Sequence, residues 1–172
     1  MQVVALGTVV TLLVYAVWVW PDLPARVPTH FGISGAPDGW GSRAWLLALP
    51  TLATLLFLGL TFLERVPHLY NYPIEVTASN APLVYALGRQ LVLALKLIVV
   101  VAFGLVFRTS VEVALGRAAA LPGGFFPIIV GSTAAVFVIT LVRVAATGRT
   151  AELRLQQTGG EQPPGPSLPR GD

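Results

Sequence analysis

The stretch that decides the fold is VVALGTVVTLLVYAVWVW, which runs from Val3 to Trp20 and contains no charged residue. A helix that crosses a bilayer needs about 20 mostly apolar residues, because each residue rises ~1.5 Å through a hydrocarbon core about 30 Å thick. Three further segments meet this requirement, at Ala44–Leu63, Gln90–Phe107 and Phe125–Val142. The sequence therefore predicts an all-α integral membrane protein with four transmembrane helices and two structured connecting loops.

The composition supports a membrane protein and excludes several other classes. Of the 172 residues, 55% are apolar and only 11% are charged, whereas a soluble domain has about 25% charged residues. The absence of cysteine excludes disulfides and zinc-thiolate sites. The basic residues are scattered and form no stripe of the kind that binds nucleic acid. We expect the lipid bilayer as a partner, no nucleic acid, no cofactor and no metal.

The charges near the helix ends suggest an orientation. With four spans both termini share a side, and near the helix ends that side carries five arginines against four on the other side. Because cytoplasmic loops carry the excess of Lys and Arg, we expect both termini in the cytoplasm of a bacterial cell. An uncleaved first helix fits better than a signal peptide, since Trp18, Trp20 and Pro21 stand where small cleavage-site residues are expected.

The remaining boundaries follow from apolar length and composition. We expect the third helix to begin near Ala81 and to run to 107, and we assign 108–149 to the fourth span and its flanks. Residues 150–172 are predicted as a polar, disordered C-terminal tail, in which Thr150–Gln157 can extend the fourth helix as a polar stub. Gly131 and Ala135 form a small-xxx-small pair, which is typical of close helix packing.

The first connection, residues 21–43, is rich in residues that restrict or bend the backbone. Its four prolines fix φ, and Pro37-Asp38-Gly39 is typical of a turn. The sequence therefore predicts a stiff, folded-back loop, and all four tryptophans lie in it or close to its ends. We take it as a candidate recognition loop; its candidate residues are Pro28, His30, Phe31, Gly35, Asp38 and Trp40.

Two other interpretations of this loop stay open. It can simply pack on the helix ends, with His30 bonded to a carbonyl group and Trp40 anchored at the membrane interface. A His and a carboxylate can also bind a metal or shuttle a proton, although His30 and Asp38 match no known metal-ligand spacing.

The middle connection, residues 64–83, is the second candidate. Ser79 or Asn80 suits the N-cap of the third helix, and Pro82 is tolerated in its first turn. The candidate residues of this second motif are Asn71, Tyr72, Pro73, Thr77 and Asn80. His68 falls on the opposite side of the membrane from His30, so the two cannot share a metal.

Lys96 is the ionisable residue that lies inside a predicted span. Such a residue costs about 2.5–3.5 kcal/mol at a helix centre and is often functional. It can extend toward the interface or pair with Glu64 or Glu75. Alternatively, it belongs to an ion or substrate path.

Both connections resemble a known family. Leu23-Pro24, Pro28-Thr29-His30-Phe31, Pro37-Asp38-Gly39-Trp40 and Ser42-Arg43 resemble the signature of a bacterial membrane family called domain of unknown function 1648. The stretch Tyr70-Asn71-Tyr72-Pro73 with Thr77 and Asn80 is similar to a second motif of that family. The resemblance covers residues 1–107. The domain also forms the N-terminal part of SdpI-like immunity proteins, so the resemblance implies a multi-pass membrane architecture and an immunity-type role.

Three functions follow as expectations. The first is a binding, sensing or immunity-type role, with protection from or response to membrane-active peptides. The second is an accessory subunit of a membrane transporter or other membrane complex. The third, an intramembrane enzyme, is disfavoured because the sequence contains no HExxH, GxSxG or phosphate-loop motif. We therefore predict no enzymatic activity and no catalytic residue.

Overall fold

The chain is organised around long apolar helices. A computed structural model describes residues 1–159, and within them four helices are long and apolar enough to cross a membrane. They are α1 (Gln2–Val19), α2 (Ala48–Leu63), α3 (Ala81–Ala114) and α4 (Phe125–Gly159). Short 3₁₀ turns at Trp20–Asp22 and Arg43–Leu47 lengthen the ends of α1 and α2. The predicted four-helix membrane architecture is thus confirmed, with a small two-stranded sheet added to it.

The helix starts follow the proline positions. Pro50, Pro82 and Pro127 all lie in the first turn of their helices, where the missing amide hydrogen has no helical acceptor anyway. The predicted start of α3 at Ala81 is confirmed, but α3 continues to Ala114 and is ~50 Å long at 1.5 Å per residue.

The C-terminal helix continues beyond its membrane span. Helix α4 runs through Thr150–Gln157 to Gly159, as the predicted polar stub requires. The predicted helical stub is therefore confirmed, and the disorder predicted for the rest of the tail stays a prediction. The rest of the predicted tail, from Gly160 on, lies outside the described residues.

Three of these helices form a bundle with an apolar core. At one level of the bundle Ala5 and Val9 of α1 pack with Phe57 of α2 and Val100 of α3. Another level contains Leu12, Ala16, Leu46, Phe107 and Val111. Because α1 and α3 run in the same direction, residue 5 lies near residue 100 and residue 12 near residue 107.

Helix α4 lies at the side of this bundle, where it packs mainly against α3. Gly131 and Ala135 are both exposed, and a Cβ atom at Gly131 would meet no atom within 4 Å. The expected close packing through this small-residue pair is therefore wrong for the described helices. The pair faces outward because α3 contacts another side of α4.

The first connection folds as a β-hairpin. Strand β1 (Arg26–Phe31) pairs antiparallel with β2 (Pro37–Ser42). The prediction of a stiff, folded-back loop is confirmed, and the pairing of its two arms is the new finding. We call the end of the bundle that carries this hairpin and residues 115–124 the hairpin end, and the end that carries residues 64–80 the opposite end.

The hairpin is fastened to the end of α3. Phe31 packs with Val113 and Leu121, and the backbone amide of Leu121 donates a hydrogen bond of 2.8 Å to the carbonyl oxygen of Gly35. Phe125 and Phe126 pack against the same cluster. The hairpin therefore has a buried underside and a defined position on the bundle.

The tryptophans surround this end as predicted. Trp18, Trp40 and Trp45 are exposed, and the guanidinium carbon of Arg43 lies 5.1 Å from the ring centroid of Trp20. Indole rings prefer the level of the lipid headgroups. The hairpin end thus meets the membrane surface through these rings.

Gly35 offers a test of the hairpin's attachment, with Gly116 as a matched control. Both glycines have positive φ, at +83° and +70°, so alanine strains either backbone by about 1–2 kcal/mol. A Cβ atom at Gly35 would also lie 3.2 Å from the carbonyl oxygen of Leu121, whereas one at Gly116 would meet nothing within 4 Å. We expect Gly35→Ala to lower the unfolding temperature in detergent more than Gly116→Ala. Equal losses would show that the contact with Leu121 does not hold the hairpin.

Candidate functional site

The exposed face of the hairpin presents a histidine and a carboxylate as a pair. Nδ1 of His30 lies 2.5 Å from Oδ1 of Asp38, and the two side chains are 72% and 54% exposed. The strand register is irregular on both sides of His30. Such bulges redirect side chains, so Thr29 and His30 both face outward while Pro28 and Phe31 are buried.

Glycines allow the two arms of the hairpin to approach each other. A Cβ atom at Gly32 would lie 3.0 Å from a carboxylate oxygen of Asp38, and one at Gly39 would lie 3.0 Å from the Cβ atom of His30. The pair therefore depends on small residues beside it. Because both side chains are exposed, the pair contributes at most about 1 kcal/mol to stability. The polar atoms of both side chains are thus accessible to a ligand.

An apolar side chain projects from the tip of the same hairpin. Ile33 is 94% exposed and lies in the turn at the tip. Two backbone hydrogen bonds close this turn: the amide of Gly32 donates to the carbonyl of Ala36, and the amide of Gly35 donates to the carbonyl of Gly32. The turn is thus well ordered although its largest side chain touches little. Our sequence analysis missed Ile33, and an isoleucine among glycine, serine and proline residues was the available signal.

The second motif is built at the opposite end by backbone contacts. Oδ1 of Asn80 accepts a hydrogen bond of 2.9 Å from the amide of Thr77, and its Nδ2 donates one of 3.0 Å to the carbonyl of Glu75. Asn80 stands at the N-cap position of α3 but makes no capping hydrogen bond with its side chain. Asn80 is therefore the N-cap residue, as predicted, but its amide group folds the preceding loop instead of capping the helix.

Tyrosines hold the other half of this connection. The hydroxyl of Tyr72 donates to the carbonyl of Pro67 at 3.0 Å, and that of Tyr70 donates to the carbonyl of Leu63 at 2.8 Å. A Cβ atom at Gly88 of α3 would clash with the hydroxyl of Tyr72. Burial, followed by the neighbouring Tyr70 and Tyr85, raises the pKa of Tyr72 to about 12. The phenol therefore remains a donor throughout the neutral range.

The second motif is thus divided between structural and exposed residues. Tyr72, Thr77 and Asn80 fix the connection by hydrogen bonds, while Asn71 and Pro73 are exposed. His68 also lies at this end, far from His30. Within the described residues, no group of three His, Cys, Asp or Glu side chains is placed to hold a metal ion.

Lys96 is fully buried and ion-paired. Its Nζ lies 2.5 Å from Oε1 of Glu64 and donates to the hydroxyl of Thr61 at 3.2 Å. It also donates to the side-chain oxygen of Gln2 and lies 5.2 Å from the ring centroid of Phe57. Of the two acids considered from the sequence, Glu64 is the partner. Oε1 of Glu64 is itself buried, and the ammonium group is its partner.

These contacts also show where the ammonium group of Lys96 lies along the bundle. Gln2 begins α1, and Glu64 follows the last residue of α2, so the ammonium lies at the opposite end of the bundle and not at its middle. A polar cleft of about 550 Å³ adjoins it, lined by Gln2, Thr61, Glu64, Arg65, Ala86, Arg89, Gln90 and Leu93. The sequence identified Lys96 but missed Gln2 and Thr61, whose proximity depends on how α1 and α2 pack against α3.

Comparisons with known proteins support the predicted resemblance for part of the chain. Residues 7–54 match the family described as "Domain of unknown function (DUF1648)", and both strands of the hairpin lie within this match. The second motif lies outside it, so the predicted extent of 1–107 and the link to SdpI-like immunity proteins stay predictions.

One curated relative was also found. The chain is similar to an "Uncharacterized protein" of Archaeoglobus fulgidus, with 40% identity over 70 residues, which cover 36% of this chain and 38% of that protein. The similarity therefore spans well under half the length of the relative. No solved structure matches the chain.

The buried ion pair provides a stability test. Lys96→Met leaves Glu64 buried without its partner, which typically costs about 3–5 kcal/mol. We expect a large loss of thermal stability in detergent for Lys96→Met, and recovery of most of it in the Lys96→Met/Glu64→Gln double variant. Arg89→Met is the matched control, because Arg89 is exposed on the same helix. If the double variant were no more stable than Lys96→Met, the ion pair would not be the reason for the loss.

Proposed function

We propose that the protein is a binding, sensing or immunity-type membrane protein whose β-hairpin recognises a membrane-active peptide. The observation that carries this proposal is the combination of a fixed hairpin underside with an exposed, chemically varied upper face. That face offers a hydrogen-bonded pair, His30 with Asp38, and the apolar side chain of Ile33. The proposed role is binding and not catalysis.

The division of the hairpin into two faces supports recognition over mere packing. Val27 and Phe31 are buried and attach the hairpin, together with the hydrogen bond between Leu121 and Gly35. Ile33 adds nothing to that attachment, and leaving such a side chain in water forgoes about 1.5–3 kcal/mol of burial free energy. A membrane-active peptide is amphipathic, and its apolar and polar groups complement Ile33 and the His30–Asp38 pair.

We propose that the hairpin faces outward from a bacterial cell membrane, with both termini in the cytoplasm. The opposite end carries Arg65, Arg89, Arg143, Arg149 and Arg154, and the contact of Lys96 with Gln2 adds a sixth basic residue there. The hairpin end carries Arg26, Arg43, Arg108 and Arg117. Six against four favours this orientation by the positive-inside rule.

A second candidate function is an accessory subunit of a membrane transporter or other membrane complex. The observation that favours it is the exposed side of α4, where Gly131 and Ala135 leave room for close helix approach. Crosslinking in native membranes discriminates between the two proposals, since a stoichiometric, unrelated protein partner supports the accessory role.

The orientation is tested by labelling single cysteines, because the chain contains none. Ser34 at the hairpin tip and Ser79 in the middle connection are both exposed. We expect a membrane-impermeant maleimide added to intact cells to label Ser34→Cys and to leave Ser79→Cys unlabelled until the cells are opened. The reverse pattern would place the hairpin in the cytoplasm and end the proposal of outward recognition.

The recognition proposal is tested by cell survival during exposure to membrane-active peptides. We expect gene deletion to lower survival. In the deletion strain, we expect neither the His30→Ala nor the Ile33→Ser variant to restore survival, although both variants accumulate normally. The matched controls are His68→Ala and Leu69→Ser, which change a histidine and an exposed apolar residue at the opposite end. Unchanged survival and unchanged envelope-stress transcription after deletion would contradict the proposal.

A further inference from the structure

A long groove runs between α1 and α3 on the lipid-facing side of the bundle. Its volume is about 830 Å³. Most of its walls are apolar or small, and its charged residues are Arg108, Glu112 and Arg117. We infer that this groove binds a phospholipid, with an acyl chain along the groove and the phosphate group at the two arginines.

The groove exists because a residue on each of its two helices is a glycine, which has no side chain to fill it. A Cβ atom at either Gly7 of α1 or Gly104 of α3 would meet no atom within 4 Å. Thr8 and Thr11 continue the small-residue wall on α1, and Thr8 satisfies its hydroxyl by donating to the carbonyl of Val4. The wall is therefore suited to a hydrocarbon chain, which needs space and no hydrogen-bond partner.

The charged part of the groove lies at headgroup depth. The apolar run of α3 ends at Phe107, directly before Arg108. Phe107 is in edge contact with Tyr15, at 5.9 Å between ring centroids, and Tyr15 is followed one turn later by the exposed Trp18. Because aromatic rings of this kind mark the membrane interface, Arg108 lies where lipid phosphates lie.

The two guanidinium groups have no fixed counter-charge. Arg108 and Arg117 are exposed, and neither forms an ion pair with any described residue. Glu112 lies between them in sequence and is half-buried, so the three side chains have a net charge of +1. Arginine binds phosphate oxygens with paired N–H donors, and the carboxylate of Glu112 can accept from a primary ammonium group.

This charge pattern favours a phospholipid over a second copy of the chain. In a two-fold dimer built on this groove, both copies would place the same net positive charge at the same membrane depth. A phospholipid instead brings an anionic phosphate to the arginines and an apolar chain to the groove. A phosphatidylethanolamine headgroup also offers an ammonium group to Glu112, whereas phosphatidylglycerol uses the arginines alone.

The test is native mass spectrometry of the full chain in detergent, titrated separately with palmitoyl-oleoyl phosphatidylethanolamine, phosphatidylglycerol and phosphatidylcholine. We expect one retained lipid per protein. Each arginine near the membrane surface contributes about fivefold, so Arg108→Gln/Arg117→Gln should weaken binding about 25-fold. Arg26→Gln/Arg143→Gln, which removes two exposed arginines outside the groove, should leave binding unchanged.

A second pair of variants tests the apolar part of the groove. Gly104→Leu fills it, while Gly59→Leu adds the same side chain on α2 at a position that also has no atom within 4 Å. We expect loss of the retained lipid for Gly104→Leu alone, with unfolding temperatures unchanged in both. Glu112→Gln identifies which part of the headgroup is bound. If the variant binds phosphatidylethanolamine more weakly and phosphatidylglycerol equally or more tightly, Glu112 binds the ammonium group. If it binds both lipids more tightly, the site binds the phosphate group alone.

Two results would overturn the inference. Equal lipid retention in all these variants would show that the bound lipid is not in the groove. A dimer that dissociates in Gly104→Leu and not in Gly59→Leu would show that the groove holds a second copy. Neither result depends on the hairpin, so the phospholipid site and the proposed peptide recognition can fail separately.

Discussion

The organising constraint on this protein is that the hydrocarbon core of a bilayer offers no hydrogen-bond partners. Backbone groups inside it must be satisfied within each helix, so irregular structure is confined to the two ends of the bundle. Both ends obey the constraint in detail. At one end the arms of the hairpin pair with each other, and at the other the amide group of Asn80 and the hydroxyls of Tyr70 and Tyr72 satisfy backbone groups.

The same constraint explains the surroundings of Lys96. An ammonium group removed from water must be paired and hydrogen-bonded. Glu64, Thr61 and Gln2 supply these partners from the ends of two other helices. The pair therefore joins α1, α2 and α3 at one level, and it does so at the opposite end rather than across the apolar core. This geometry accounts for the burial of Lys96, whose charge is paired and hydrogen-bonded.

Much of the fold could be predicted from the sequence because span length is a simple requirement. Apolar length gave the four spans, and Pro82 with the preceding loop gave the start of α3. The hairpin strands could not be predicted, because their pairing depends on docking Phe31 against Val113 and Leu121, which are far away in sequence. The N-cap position of Asn80 was predicted, but the partners of its side chain were not, because two sets of local backbone groups are within its reach. The sequence alone does not say which it takes.

The candidate sites show the same division. The hairpin residues were visible as a dense group of prolines, glycines and aromatics, and His30 with Asp38 does form a pair. The groove was not visible, because Gly7 and Gly104 are far apart in sequence and line the same groove only through the packing of α1 beside α3. Likewise Gly131 with Ala135 matched a packing pattern that the described helices do not use. A small-residue pattern gives a possible contact surface, and tertiary packing decides whether it is occupied.

Helix α3 connects these separate features into one arrangement. It begins directly after Asn80 in the second motif, and its buried Lys96 binds the ends of α1 and α2. The next part of α3 forms one wall of the groove, and Val113 in the last turn of α3 packs against Phe31 of the hairpin. Because a helix is stiff along its length, the hairpin, the groove and the second motif keep fixed distances from one another along the axis of α3. That rigidity explains why so short a chain can present ordered structure at both membrane surfaces.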